Sequence, residues 1–228
     1  MIYFSEKGVF PMSTANKNNL MFKLDIESYL DNLKEVIDNI NIQEINTVIE
    51  RLIEVYVRGG SIYIFGNGGS ASTASHFAND FNKGLCENSD KKFRFYCLND
   101  NIPSLLAIAN DLSFNDVFKE QLKNFLTPND LVIAISGSGN SKNAITAIEY
   151  ANKNGVETIG LVGYDGGKIK KIVKHYIHVR IHDMQKVEDI HLMLDHLMTS
   201  TLKHYFERSA NFQMFSKVAV GEGYNNDN

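Results

Sequence analysis

The sequence of 228 residues has little of three features that would assign it to particular classes of protein. Its two cysteines, Cys86 and Cys97, are too few for a disulfide framework and indicate a reducing compartment. It has no apolar run long enough to span a membrane and no visible signal peptide, so we expect a cytoplasmic protein without a membrane partner. Its net charge of -4 gives no basic surface, and nucleic acid is therefore not an expected partner.

The remaining pattern is typical of one globular α/β domain. Short apolar runs alternate with segments of helical periodicity, and this alternation predicts a doubly wound parallel sheet. Strands are predicted in the apolar run that begins at Ser61 and at residues 93–98, 131–136, 157–162 and 176–181. Helices are predicted at residues 103–110, 115–126, 142–154, 168–174 and 187–205.

A helical hairpin is predicted ahead of the sheet, at residues 23–58. Apolar residues recur there at spacings of three and four, with a break at residues 39–46, and Gly59 and Gly60 end the second helix. The hairpin either covers one face of the sheet or forms an oligomeric bundle, and the pattern leaves both open. We expect a flexible arm at residues 1–22, a single domain at 23–208 and a flexible tail at 209–228.

Two glycine- and serine-rich loops follow predicted strands. Loop 66–70 reads Gly-Asn-Gly-Gly-Ser, and loop 136–141 reads Ser-Gly-Ser-Gly-Asn-Ser. Loops that lead from a strand into a helix bind phosphate through free N–H groups and the positive helix end, beyond the carboxyl ends of the strands. The second loop matches neither the Walker A motif nor the dinucleotide fingerprint. The pair therefore predicts a ligand that carries a phosphate.

A possible metal or catalytic pair lies in the helix after the first loop. His76 and Asp80 are at positions i and i+4, so they share one helix face and could hold one ion. Such a pair is more often a simple helix-surface interaction. His191 lies near the apolar stripe of the last helix, and we interpret it as a buried, hydrogen-bonded structural residue.

Together these motifs resemble the SIS (sugar isomerase) domain, and more narrowly the phosphoheptose isomerases, which convert sedoheptulose 7-phosphate to D-glycero-D-manno-heptose 7-phosphate. The resemblance runs from about residue 24 to residue 205 and includes segments 110–116, 163–168 and 187–196. It implies a flavodoxin-like three-layer sandwich behind the helical hairpin. It also implies a homotetramer with active sites between subunits and one zinc ion per subunit.

The same resemblance implies a role for each matching residue. Asp80 would be the catalytic base and His196 its acid/base partner, in an aldose–ketose isomerisation through an enediol. The metal ligands would be His76, Asp80, Glu188 and His196. The substrate-binding residues would be Asn67, Gly68, Ser70, Asp111, Ser136, Gly137, Ser138, Ser141 and Glu188, with the four serines around the phosphate.

Two features of the sequence disagree with the roles that the family resemblance implies. Glu188 and His196 would be about 12 Å apart along one helix at about 1.5 Å per residue. Either the helix begins after Glu188, or the two residues act in different subunits or sites.

The second feature is a set of departures from the family's residues. Asp80 replaces the family's glutamate, Glu188 replaces a common glutamine, and Gly84, beside Lys83, replaces an arginine. These departures indicate a divergent branch, in which another sugar phosphate is an alternative substrate.

Two classes of function follow from these residues. The retained acid and histidine favour a phosphosugar isomerase. The alternative is a non-catalytic module that senses a phosphosugar or binds a partner protein, because some relatives in the family that it resembles work through protein contacts.

Overall fold

The structure, a computed structural model, describes residues 15–85 and 91–219, with side chains at 21–85 and 91–208. The chain divides into two compact units, Met1–Asn39 and Ile40–Asn228. The first unit contains helix α1 (Ala15–Asp38), which begins inside the predicted arm. Residues 1–14 of that arm lie outside the described residues.

The second unit contains a sheet and the remaining helices. Its strands are β1 (Ile62–Gly66), β2 (Phe95–Cys97), β3 (Leu131–Ser136), β4 (Glu157–Val162) and β5 (His175–His178). Its helices are α2 (Ile42–Arg58), α3 (Gly69–Asn79), α4 (Ile102–Asp111), α5 (Val117–Lys123), α6 (Lys142–Lys153), α7 (Gly167–Ile172) and α8 (Met184–Ala219). A π-helical turn at Asp80–Gly84 follows α3, and a 3-10 turn at Phe114–Asp116 precedes α5.

All pairs of neighbouring strands are parallel, in the order β2-β1-β3-β4-β5. This is the flavodoxin-like order of a doubly wound sheet, so the predicted fold class is confirmed. The order reverses between β1 and β3, where Ile64 pairs with Ile133 and Gly66 with Ile135. Both strands are buried along their whole length, as expected of parallel strands covered on two faces.

Helices pack on both faces of the sheet. On one face, alternate residues of β1 and β3 join α5, α6 and α7 in one core cluster, in which the Phe65 and Phe118 rings stack at 4.5 Å. On the other face, α3 contacts β1 and α8, and α2 contacts β5 and α8. Side chains of alternate strand residues point to opposite faces, which accounts for the two separate helical layers.

The ends of the helices follow local sequence signals at several positions. The Asn41 side chain accepts hydrogen bonds from the N–H groups of Gln43 and Glu44 and so caps α2. Gly59, with a φ of +72°, ends the same helix as predicted. Helix α8 runs beyond its predicted end to Ala219, and residues 220–228 of the predicted tail lie outside the described residues. Among the described helices, none is both long and apolar enough to cross a membrane.

Candidate active site

The two serine-rich loops lie side by side at the carboxyl edge of the sheet. They follow β1 and β3, which are neighbouring strands. The side chains of Asn67 and Asn143 exchange two hydrogen bonds of 2.9 Å each, and these bonds join the first loop to the start of α6. This is the point at which the strand order reverses, where doubly wound sheets bind their ligands.

The first loop presents an open helix end. Gly68 has a φ of +54°, a left-handed conformation that glycine adopts without steric cost. Helix α3 begins directly after it, and Ser70 is buried in its first turn. No side chain described in the structure caps α3, whereas Asn101 caps α4. The uncapped N–H groups and the positive helix end suit an anion.

The second loop provides hydroxyl groups around a similar helix end. The Oγ atoms of Ser136 and Ser141 lie 3.2 Å apart, and the N–H of Asn140 donates a 3.2 Å hydrogen bond to Ser138 Oγ. Helix α6 also lacks a side-chain cap among the described residues. The loop therefore places serine hydroxyls at the uncapped start of α6, and its predicted binding of phosphate stays a prediction.

The start of α8 covers both loops at positions occupied by glycine. A Cβ atom added to Gly69 would lie 2.4 Å from a carboxylate oxygen of Glu188, and one added to Gly137 would lie 2.4 Å from the Met184 sulfur. Glycine at both positions thus makes room for α8. Because α8 begins at Met184, Glu188 and His196 lie on one helix, and the alternative of a helix that begins after Glu188 is wrong.

Four side chains from α3, its π-helical extension and α8 form a compact group. The Nε2 atom of His76 lies 3.1 Å from Nε2 of His196, 3.5 Å from an oxygen of Asp80 and 3.9 Å from an oxygen of Asp195. One ligand atom from each of the four residues lies within 4.8 Å of all the others. His76, Asp80 and His196 were predicted to meet, and the structure brings them together.

Asp195 is the member that the sequence pattern does not identify. It stands in the apolar stripe of α8, next to the buried Leu194 and close to the buried Met198, and is itself fully buried. Burial, and then the charge of Asp80, raises the pKa of the Asp195 carboxyl to about 7. The signal in the sequence is an acid among core positions directly before His196.

Asp80 lies where regular helix geometry changes. Helix α3 ends at Asn79, and Asp80 begins a π-helical turn in which its carbonyl accepts a 3.2 Å hydrogen bond from the N–H of Leu85. Short π-helical segments occur frequently at functional sites. Asp80 therefore keeps its i,i+4 relation to His76, while the chain leaves the α-helical path immediately after it.

Two predicted site residues lie outside the four-residue group. Glu188 lies against Gly69 at the first loop rather than with the two histidines. Asp111 is exposed at the end of α4, where it accepts a 2.8 Å hydrogen bond from the side chain of Asn110. Within the described residues, the group of possible metal ligands contains neither of them.

The donor set of the group fits a zinc ion. Two imidazole nitrogens and two carboxylates are ordinary zinc ligands, and a tetrahedral site with bonds of about 2.0–2.2 Å places its ligand atoms about 3.3–3.6 Å apart. The distances of 3.1, 3.5 and 3.9 Å around His76 Nε2 bracket that spacing. These residues therefore fit a metal, whereas Glu188 of the predicted set lies outside the group among the described residues.

His191 lies on α8 four residues before Asp195. Its predicted burial is confirmed, and burial lowers the pKa of its imidazole to about 4. The Val162 backbone lies within hydrogen-bonding reach of the ring and partly offsets this lowering of the pKa, although neither ring nitrogen makes a well-aligned hydrogen bond among the described residues. His191 is therefore a neutral core residue near physiological pH.

A separate cavity of about 490 Å³ opens at the opposite, amino-terminal edge of the sheet. Gly60, Arg94 and Asn129, each just before a strand, line it together with Tyr63 and Tyr96. A larger cavity of about 960 Å³ lies beside the end of α3. Neither cavity contains the serines of the two loops, so cavity size does not locate the site described above.

Comparison with known proteins identifies the family of this chain. The SIS domain family matches residues 28–163. A phosphoheptose isomerase from Helicobacter pylori strain 26695 is 34% identical over 190 residues, which cover 83% of this chain and 94% of that protein. Another from Thermodesulfovibrio yellowstonii is 36% identical over 170 residues, 73% of this chain and 82% of that protein.

A solved structure gives the same result. Phosphoheptose isomerase GmhA from Neisseria gonorrhoeae superposes with a TM-score of 0.74 at 26% identity, over 80% of this chain and 99% of that one. The family match spans both serine-rich loops, and between 82% and 99% of each of these three relatives is covered. The chain therefore belongs to the SIS domain family and, within it, to the sugar phosphate isomerases that resemble phosphoheptose isomerase.

Proposed function

We propose that the protein converts sedoheptulose 7-phosphate to D-glycero-D-manno-heptose 7-phosphate through an enediol. The observation that carries this proposal is the group formed by Asp80, His76 and His196 beside two loops suited to phosphate. The names of the relatives at 34% and 36% identity support the same substrate.

The two loops account for the binding of the phosphate. Ser70, Ser136, Ser138 and Ser141 stand at the open ends of α3 and α6, where hydroxyls and backbone N–H groups are available as donors. Asn67 and Glu188 lie at the first loop, next to these donors. We therefore assign the phosphate to the serines and the sugar hydroxyls to Asn67 and Glu188, with Gly68 and Gly137 allowing close approach of the backbone.

Asp80 and His196 account for the proton transfers. In an aldose–ketose isomerisation one base takes the proton from the carbon beside the carbonyl and returns it to the former carbonyl carbon. A second group moves a proton between the two oxygens. We assign the first role to the Asp80 carboxylate and the second to the His196 imidazole, because an imidazole can both accept and donate a proton.

We also propose one zinc ion per subunit in the group that contains the two histidines. When bound, zinc would polarise the carbonyl and hydroxyl oxygens of the sugar and so stabilise negative charge on them. The chain's own residues orient the sugar and transfer the protons, which is why the site needs both Asp80 and His196 in addition to the metal.

We further propose a cytoplasmic homotetramer in which Asp111 of one subunit reaches the sugar held by another. Asp111 is exposed at the end of α4, and the exposed apolar residues Leu106, Leu112 and Phe114 lie near it in the sequence. Exposed apolar side chains of this kind are common at interfaces between copies of a chain. Light scattering that showed a monomer would refute this assignment.

The decisive experiment supplies purified protein with sedoheptulose 7-phosphate, and separately with ketose phosphates of five and six carbons, with and without zinc. We expect turnover of the heptose phosphate and formation of the aldose. Turnover of a shorter sugar alone would identify another sugar phosphate isomerase. Binding of sugar phosphate without turnover of any of them would support the non-catalytic module instead.

A further inference from the structure

A buried carboxylate without a hydrogen bond lies against the proposed metal site. The Asp195 side chain has no exposed surface, and neither of its oxygens has a hydrogen-bond partner among the described residues. Burial of an unpaired carboxylate strongly disfavours the folded state unless a cation or hydrogen-bond donors compensate it. A core position in α8 would ordinarily hold an apolar residue, so the acid at this position requires an explanation.

The surroundings of Asp195 point to a metal ion as that compensation. In the described part of the chain its one ion-pair contact is with His76, whose Nε2 lies 3.9 Å away. The same nitrogen faces His196 at 3.1 Å. No lysine or arginine described in the structure is paired with the carboxylate. A divalent cation between these side chains would neutralise the buried carboxylate directly.

We infer that Asp195 is a direct ligand of the metal, with His76, Asp80 and His196 as its companions. Glu188 then serves the sugar at the first loop, where its carboxylate lies against Gly69. This inference rests on the proposed function only in that a metal occupies the group. It also removes the difficulty that Glu188 and His196, two helical turns apart on α8, are too distant to bind one ion. Asp195 and His196 are adjacent residues and do not have this difficulty.

The two carboxylates differ in a way that separates their roles. The Asp195 side chain is fully buried, whereas that of Asp80 is 26% exposed. Catalytic zinc sites keep a coordination position open to the substrate. Asp195 therefore serves as the permanent carboxylate ligand, and Asp80 is the carboxylate that can leave the metal and act on the sugar.

The test measures metal binding independently of activity. Zinc affinity of the full-length chain is determined by competition with a chromophoric chelator, and Co²⁺ absorption reports the coordination sphere. We expect Asp195→Asn to weaken zinc binding by about tenfold or more and to change the Co²⁺ spectrum. Glu188→Gln, on the same helix, should bind zinc within about threefold of the unchanged protein and keep its spectrum.

A second variant of Asp195 distinguishes loss of a metal ligand from loss of the folded structure. Asp195→Leu removes the ligand but suits an apolar core position, so the metal-free variant should unfold at a higher temperature than the metal-free parent. Added zinc should raise the unfolding temperature of the parent but not of this variant.

Three outcomes would overturn the inference. One is undiminished zinc affinity in both Asp195 variants, and another is loss of binding in Glu188→Gln with retention in Asp195→Asn. The third is the absence of zinc and Co²⁺ binding by the parent protein without substitutions. That third result would also remove the metal from the proposed function, whereas turnover of the sugar phosphate by the same preparation would leave the proposed isomerisation intact.

Discussion

The Nε2 atoms of His76 and His196 lie 3.1 Å apart, although 120 residues separate them in the chain. At this distance either one imidazole donates a hydrogen bond to the other, or both lone pairs face one cation. The contact joins α3, which follows the first serine-rich loop, to α8, which covers both loops. It therefore holds the proposed catalytic group at a fixed distance from the proposed phosphate site.

Removal of the proposed acid or base should greatly slow turnover while preserving substrate binding. We expect Asp80→Asn and His196→Gln each to lower kcat for sedoheptulose 7-phosphate by about 10²- to 10⁴-fold, because each loses a proton-transfer group. His204→Gln, at an exposed position of the same helix, is the matched control and should keep the parent kcat. Full activity of either site variant would exclude the proposed roles.

Loss of a loop hydroxyl should weaken the binding of the phosphate. We expect Ser138→Ala and Ser141→Ala to raise KM by about tenfold with a smaller effect on kcat, since each removes a hydrogen bond to a charged group. Inorganic phosphate should inhibit the parent competitively and these variants more weakly. Thr146→Ala, in the body of α6, is the control. Unchanged KM and inhibition in both serine variants would place the phosphate elsewhere.

Glycine in the second loop should be required for stability. Gly139 has a φ of +64°, and an added Cβ would lie 2.1 Å from the carbonyl oxygen of Gly166. We expect Gly139→Ala to lower the free energy of unfolding by about 1–3 kcal/mol or more, as measured in urea.

The matched control for that substitution is Gly155→Ala. Gly155 has a similar φ of +74°, but an added Cβ would meet open space. This variant should cost about 1 kcal/mol from backbone strain alone. Equal losses in the two variants would contradict a steric requirement at the loop.

Two buried groups on α8 should give opposite pH dependences of stability in the metal-free protein. The pKa of His191 is lowered to about 4, so the unfolded chain binds more protons than the folded one between about pH 4 and 6.5, and stability rises with pH in that window. The pKa of Asp195 is raised to about 7, so the folded chain binds more protons between about pH 3.8 and 7, and stability falls as pH rises.

Substitution of Asp195 should reveal the contribution of His191. In metal-free Asp195→Asn we expect the free energy of unfolding to increase by about 3 kcal/mol from pH 4 to pH 6.5. The double variant with His191→Gln should lose this increase. Urea denaturation across the pH range measures both, and an equal slope in the single and double variants would show that His191 is not buried as a neutral group.

Local patterns were sufficient to predict much of the fold and part of the site. Continuous apolar runs predicted β1, β3 and β4, because strands buried on both faces carry no polar alternation. The spacing of His76 and Asp80 placed them on one helix face, since four residues make about one turn. Helix ends were predicted less well, and both α1 and α8 extend beyond the predicted ranges, because tertiary contacts and weak propensities set such boundaries.

The sequence by itself determined the parallel sheet, the two serine-rich loops and the helical pair His76–Asp80, because each depends on residues close together in the chain. Only the tertiary structure decided which part of α8 meets that pair. The packing of α8 against α3 places His196 and Asp195 beside His76, and it places Glu188 against Gly69. Helical periodicity fixes which residues share a face of α8, but the position of that helix along α3 depends on how side chains from distant segments fill the space between them.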